Sequence, residues 1–212
     1  MPLTSLTRPY LKLIGDAALE LLGDATQWDD VRNPSSSAGP AVSTPTVAMF
    51  RDNGAGSRGV FSQRFADPAA GTEGNDLMFN CQFSHKLKEG TVAVPSIVYP
   101  HIHWSPNDAV AGNVGWSLEY SESNPGVAFP QTQVITQAIA SPAVQYMHQI
   151  SGLTIGGAGL SSTTRQISAM VLSRVARTDV GNIDTYGAVV WLHEYDIHFE
   201  IDTMGSKTPL AK

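Results

Sequence analysis

From about residue 44 to residue 202, apolar side chains recur at every second position in short runs separated by turn residues. The runs are VAMF (47–50), GVFSQRF (59–65), DLMFNCQFS (76–84), SIVYPHIHW (96–104), NVGWSLEYS (113–121), TQVITQAI (132–139), VQYMHQI (144–150), RQISAMVLSRV (165–175) and AVVWLHEYDIHFEID (188–202). Period two puts successive side chains on opposite faces, so each run reads as a half-buried strand. In the last run Val189, Trp191, His193, Tyr195, Ile197, Phe199 and Ile201 form a nearly apolar set. Val190, Leu192, Glu194, Asp196, His198, Glu200 and Asp202 alternate with them and turn polar from Glu194 onward. A helix would scatter Glu194, Asp196 and Asp202 around its circumference and bury some of them, so this run is a strand. About eight or nine such strands, with no second convincing helix, predict an all-β fold: an antiparallel β-sandwich or jelly roll.

The first segment has a different period. Tyr10, Leu13, Ile14, Ala17, Ala18, Leu21 and Leu22 make a helical stripe, with Thr7 placed as N-cap, Pro9 in the first turn and Gly23 as the stop. Gly15 costs this helix about 1 kcal/mol against Ala, so it needs a docking partner. That partner is either its own domain or a neighbouring subunit. Residues 33–46, NPSSSAGPAVSTPT, read as a linker, and residues 66–76 as a surface loop. The expected division is an arm and linker over 1–43 and a β-sandwich domain over 44–212. Trp28, between helix and linker, is expected to anchor the arm.

Composition narrows the class. With 42% hydrophobic and 15% charged residues the chain is globular, and 19 Gly and 13 Pro suit many turns. A formal charge of −6 and the lack of a Lys/Arg cluster argue against a nucleic-acid partner. One cysteine, Cys81, excludes an internal disulfide and fits a reducing compartment. The sequence shows neither a signal-peptide pattern nor an apolar run of membrane-spanning length, so no membrane partner is expected and the product is expected to be soluble and cytosolic at birth.

Candidate chemistry centres on histidine. His193-Glu194 followed by His198 resembles the HExxH zinc signature, but a spacing of five brings the two rings together on neither helix nor strand. His101 and His103 lie two apart and share a strand face, as at the start of a cupin-type metal site. His198 with Glu194, Asp196 or Glu200 would complete it. The cupin pattern also wants a carboxylate shortly after HxH, where this chain has WSPNDAVAGN, and Asp108 there falls in a turn. The competing reading is that the histidines satisfy neighbouring carboxylates and carbonyls across strands. No serine-hydrolase elbow and no phosphate loop is present. Glu119, Glu194 and Asp196 are a carboxylate set that spacing neither favours nor excludes for glycoside hydrolysis. Cys81 alternates with Leu77, Phe79 and Phe83 and reads as a core thiol. Trp104 and Trp116 read as core residues, the alternative being an exposed glycan platform.

Several phrases resemble a family of tailed-bacteriophage structural proteins: QWDDVRNP, HKLKEG (85–90), YPHIHWSP, GNVGWSLEYS and DTYGAVVWLHEYDIHFEIDTMGS. The similarity spans roughly residues 26–207 and is weakest in the first helix and in 122–165. It consists of strand and turn phrases rather than an active-site motif. The resemblance implies a non-enzymatic β-sandwich accessory of the virion, foremost a capsid decoration (cement) protein, with a tail, collar or fibre-base subunit as alternative. The expected partners are copies of itself, in a homotrimer, and the major capsid protein or tail and neck proteins. No cofactor is expected, and the alternative of a different class is a cupin-like metal-dependent enzyme using His101, His103 and His198.

The arm links sequence to assembly. A helix this short is marginal in water without packing, and the linker reaches about 45 Å at roughly 3.3 Å per residue. Tyr10, Leu13, Ile14, Leu21, Leu22 and Trp28 are therefore the expected contact residues on another chain. Deleting residues 1–25 should leave the circular dichroism of the sandwich unchanged while lowering the oligomer mass measured by light scattering. A truncated chain that assembles normally, or one that no longer folds, would contradict this.

Overall fold

A computed structural model describes residues 27–40, 42–56 and 58–202. Among these the helical content is one 3-10 turn, Ser35–Ser37. The strands are β1 (Gln27–Pro34), β2 (Gly39–Pro40), β3 (Thr46–Asp52), β4 (Gly59–Phe65), β5 (Glu73–Gln82), β6 (Ser96–Pro106), β7 (Asn113–Ser123), β8 (Gln133–Ala140), β9 (Gln149–Gly152), β10 (Leu160–Ser162), β11 (Met170–Thr178) and β12 (Val190–Ile201).

They form two antiparallel sheets packed as a β-sandwich. In the first, the long strands β6 and β12 pair down the centre. Each is flanked by two shorter strands placed end to end: β4 and β1 on β12, β9 and β10 on β6, with β3 beyond β4. The second sheet runs β2-β5-β11-β7-β8. The chain crosses repeatedly between them: β4 in the first, β5 in the second, β6 in the first, β7 and β8 in the second, β9 and β10 in the first, β11 in the second, β12 in the first.

The core lies where the inward faces meet. Val98, Ile102 and Trp104 of β6 and Leu192, Tyr195, Ile197 and Phe199 of β12 pack against Leu77, Phe79 and Cys81 of β5 and Val114, Trp116 and Leu118 of β7. Rings interlock across the gap, with centroids 5.5 Å apart for Phe65–Trp116, 5.1 Å for Phe79–Tyr195 and 5.5 Å for Phe83–Phe199. Each such side chain contributes about 1.5–3 kcal/mol on burial. Trp104 and Trp116 are both fully buried, which leaves no glycan platform at either ring. Cys81 is buried as its alternation implies, and burial pushes its thiol up to about 12.

The alternation in β12 does not run unbroken. Leu192 pairs with Trp104 and Glu194 with His103, so His193 is an extra residue in a β-bulge. The inward set is Val190 and Leu192 before the bulge and Tyr195, Ile197 and Phe199 after it. Trp191 and His193, assigned to the apolar face by strict alternation, belong instead to the outward face, where they meet Phe50.

The domain boundary also moves. QWDDVRNP is strand β1, paired with β12 from Gln27↔Ile201 to Pro34↔Glu194, so the sandwich begins before residue 44. Residues 33–46 are not a free linker: they contain the end of β1, the 3-10 turn and β2, and Asp76 accepts hydrogen bonds from the Val42 and Ser43 amides. The 45 Å reach expected of this stretch is therefore withdrawn. The helix at 9–22, with Tyr10, Leu13, Ile14, Leu21 and Leu22, lies outside the described residues. The run at 144–150 is mostly turn, its strand being β9, and the run at 165–175 becomes strand only from Met170.

Deleting His193 should abolish the fold. Without the extra residue, either Val190 and Leu192 or Tyr195, Ile197 and Phe199 must turn to water. Losing two or three such burials costs roughly 4–6 kcal/mol, comparable to the whole stability of a domain. The expected outcome is loss of near-ultraviolet circular dichroism and of cooperative thermal unfolding, with both retained in His193→Ala. An unchanged melting midpoint in the deletion would contradict the bulge's role.

Candidate functional site

The outward face of the first sheet collects the chain's histidines. On β6 the outward positions are Tyr99, His101, His103 and Ser105, between inward Val98, Ile102 and Trp104. The register sets Asp196 of β12 opposite His101, Glu194 opposite His103 and His198 opposite Tyr99. From the other side β1 sets Asp30 against His198 and Arg32 against Asp196. His148, just before β9, reaches the same patch. Of the chain's six histidines, only His85 lies elsewhere, beside Ser168.

Asp196 is the hub. Its carboxylate is almost fully buried, with Oδ1 2.5 Å from His101 Nε2 and Oδ2 3.5 Å from His103 Nε2. Although His101 is close, Oδ1 receives no hydrogen bond of acceptable direction. His101 Nδ1 lies 3.3 Å from the Tyr99 carbonyl, and His103 Nδ1 lies 2.8 Å from His148 Nε2. His198 packs edge-on against His101 with ring centroids 4.1 Å apart and makes its own 2.8 Å pair with Asp30. Two groups have metal-ligand spacing, their ligand atoms all within 4.8 Å of one another: His101, His103 and Asp196, and Asp30, Asp196 and His198.

Beside this hub an open pocket of about 460 Å³ is lined by Arg32, Phe50, His103, Ser105, Tyr146, His148, His193 and Glu194. Arg32 and Glu194 close one wall with a two-pronged ion pair, both contacts 2.8 Å. His193 forms the floor. The Ser62 hydroxyl donates to the Leu192 carbonyl, so it accepts from His193 Nδ1–H, and His193 Nε2 then accepts from Ser105. Burial, with the charges of His148 and His103, lowers its pKa to about 4. At His101 burial opposes protonation, but Asp196 outweighs it and raises the pKa. At His103 burial dominates and lowers it. A larger cleft, about 490 Å³, lies between β7 and the segment around β10, but its two charged residues, Arg165 and Glu122, already pair with each other.

The structure thus brings together the sequence candidates His101, His103 and His198, and of the carboxylates named with them it is Asp196 that meets His101 and His103. Glu200 is turned to Lys88, and Asp108 accepts from Tyr186, away from the patch. Glu119 is held by Arg174 on the second sheet, so it does not meet Glu194 or Asp196 as a glycosidase pair. Trp28 lies on the outward face of β1, half exposed, with its ring 5.3 Å from Tyr99. His148, Ser62, Ser105 and Asp30 were not legible as site residues, and His193, weighed with Glu194 and His198 as a zinc signature, was set aside on spacing. The one available signal was Trp28, Asp30 and Arg32 at period two, masked because the inward face of β1 is Asp29, Val31 and Asn33.

No family model and no curated protein matches the chain. Among solved structures it is similar to the CBM22-1–GH10 modules of a Clostridium thermocellum endo-1,4-β-D-xylanase complexed with xylohexaose, with 10% identity, 85% of this chain covered and a TM-score of 0.35. The chain spans 27% of that structure's length. It is also similar to TmCBM61 in complex with β-1,4-galactotriose (8% identity, 85% of this chain and 93% of that one, TM-score 0.31). A third is the Eiger TNF of S. frugiperda (9% identity, 70% and 96%, TM-score 0.25). Likeness at this level supports no functional inference.

His193 should give the fold a measurable pH dependence. Its folded pKa lies below the ordinary 6.5, so the unfolded chain takes up the proton first as pH falls. The stability that neutral His193 contributes is complete above 6.5 and lost as pH drops to about 4. At 1.36 kcal/mol per pH unit, the loss is about 3 kcal/mol at most. Denaturant unfolding at pH 7.5 and 4.5 should show wild type losing more stability than His193→Gln. Parallel losses would contradict the assignment.

Proposed function

We propose that this protein is a non-enzymatic structural subunit of a tailed-phage particle, first a capsid decoration protein and second a tail, collar or fibre-base subunit. The sequence phrases above supply the phage context. The physical observation that carries the structural reading is strand β8. It is eight residues long, QVITQAIA, without a charge or a proline, and β7 is its one strand neighbour among the described residues. Soluble proteins blunt such edges with Lys, Pro or bulges, because an unpaired edge templates pairing with another chain. β8 carries none of these devices. Its natural occupant is β8 of a second copy running antiparallel, a two-fold pairing that meets no like charges. The repeated crossing of the chain between the sheets is compatible with the jelly-roll form of the sandwich. The helical arm and the homotrimer it was expected to form stay within this proposal.

A second reading, a cupin-like metal-dependent enzyme using His101, His103 and His198, is favoured by the convergence of those histidines beside an open pocket. It would take precedence if the protein were absent from particles.

Mass spectrometry of purified virions should find the chain, and labelling should place it on the head rather than the tail. Thr136→Lys with Ala138→Lys, both exposed on β8, should shift the sedimenting species toward monomer with a melting midpoint within a few degrees of wild type. A wild-type chain missing from virions, or a double variant that assembles like wild type, would overturn the respective half of the proposal.

A further inference from the structure

We propose that His101, His103 and Asp196 form a binding site for one divalent first-row transition metal of the zinc class, with at least one coordination position left open. The inference does not rest on the assembly reading, since it concerns the opposite sheet.

The argument begins with where the protons sit. The Tyr99 carbonyl can only accept, so His101 Nδ1 carries a proton, and Nε2, which faces Asp196, is the nitrogen that either holds a second proton or gives its lone pair to a metal ion. His103 Nδ1 shares a hydrogen bond with His148 Nε2, and the tautomer in which His103 donates leaves its Nε2 lone pair toward the same carboxylate. When both rings are neutral in these tautomers, two lone pairs face a buried anion. Oδ1 of Asp196, on a side chain 3% exposed, lies 2.5 Å from His101 Nε2 yet receives no well-directed hydrogen bond, and a carboxylate out of water needs a positive partner. A cation among the three groups removes both defects at once.

The donor chemistry fits. Two imidazoles through Nε2 and one carboxylate are the ligands of open zinc and non-haem iron sites, whereas a closed structural zinc site takes four protein ligands. The ligand atoms lie within 4.8 Å of one another. Bond lengths of about 2.0–2.2 Å place tetrahedral donors about 3.3 Å apart, so the 2.5 Å His101–Asp196 contact opens by less than 1 Å when an ion enters. The outer partners are also of the expected kind. Each ligating imidazole has its other ring nitrogen held by a hydrogen-bond partner, the Tyr99 carbonyl for His101 and His148 Nε2 for His103. His103 lines the open pocket as well, so the free coordination position lies at its edge. The ligand set differs from the all-histidine trio the sequence suggested. His198 is committed to Asp30 and supports the His101 ring instead of binding the ion.

The test uses the full-length, tag-free protein, stripped with a chelator and titrated with Co(II) and Zn(II). We expect one ion per chain by calorimetry and a visible cobalt band from low-symmetry coordination. His103→Ala and Asp196→Asn should each weaken Zn(II) binding by about tenfold or more, and His198→Ala by less than about threefold. Circular dichroism checks each variant's fold, and His103, the more exposed ligand, keeps the test decisive if Asp196→Asn does not fold. The proposal is overturned if wild type binds no stoichiometric ion, if folded His103→Ala binds as tightly as wild type, or if His198→Ala loses binding as fully as His103→Ala.

Discussion

One extra residue in β12 decides what both faces of the first sheet can be. Strict alternation along an edge-to-edge strand of this length would commit Trp191 and His193 to the core together with Tyr195, Ile197 and Phe199. It would also expel Val190 and Leu192, which are fully buried against Trp104, Phe65 and their neighbours. The bulge at His193 lets the strand contribute its best apolar residues on both sides of the kink. The same step puts His193 and Glu194 side by side on the outward face, which ordinary pleating forbids. The pocket owes its floor and one wall to that pair. Core and site therefore share one cause, and neither can be altered at position 193 by insertion or deletion without disturbing the other.

Buried charge is handled differently on the two sheets. Arg177 is fully buried yet satisfied by Asp184 and Asp67 and by the Ala188 carbonyl, and it ties the loop after β11 to the sandwich. Arg165 does the same for the segment around β10 through Glu122 and Ser96. On the second sheet Arg174 gathers Glu73, Asp76 and Glu119. In each case a guanidinium that never loses its proton answers the carboxylates, giving a fixed structural knot. Asp196 is the exception. Its neighbours are imidazoles, which can be neutral near pH 7 and therefore leave the anion unanswered unless a proton or a metal ion is added. That contrast separates Asp196 from the structural ion pairs more sharply than burial alone.

How far the sequence foretold this depends on which faces were apolar. Strands β5, β6 and β7, and β12 from Tyr195 onward, were legible because one face of each is a clean apolar set, as with Leu77, Phe79 and Cys81. β1 was not, because its inward residues Asp29, Val31 and Asn33 include one apolar side chain. Asp29 pairs with Lys86 and Asn33 donates to the Cys81 sulfur, contacts that no periodicity announces. Missing β1 turned a paired strand into a linker and moved the domain boundary. His101 and His103 were legible through their shared face, and Asp196 was named among the carboxylates within reach. His148 and Asp30 come from other strands and loops, and nothing local marks them. The bulge was invisible because His193 suits either face.

The two proposed surfaces fall on opposite sheets, and this separation has a physical logic. Self-assembly through a strand edge needs backbone groups left unpaired and flanking side chains that are small and uncharged, as Thr136, Ala138 and Ala140 are on β8. A metal-ligating patch needs the reverse: side chains fixed by neighbours on both sides. β6 and β12 are the long central strands of the first sheet, each with partners along both edges, and they carry His101, His103 and Asp196. Such ligands lose little freedom when an ion binds, since the pleat has already aimed them. The edge strand is free to recruit because it holds no ligand, and the central pair is rigid because it has no edge to recruit with. An assembled array of this chain would accordingly leave its histidine faces outside the contact that builds it.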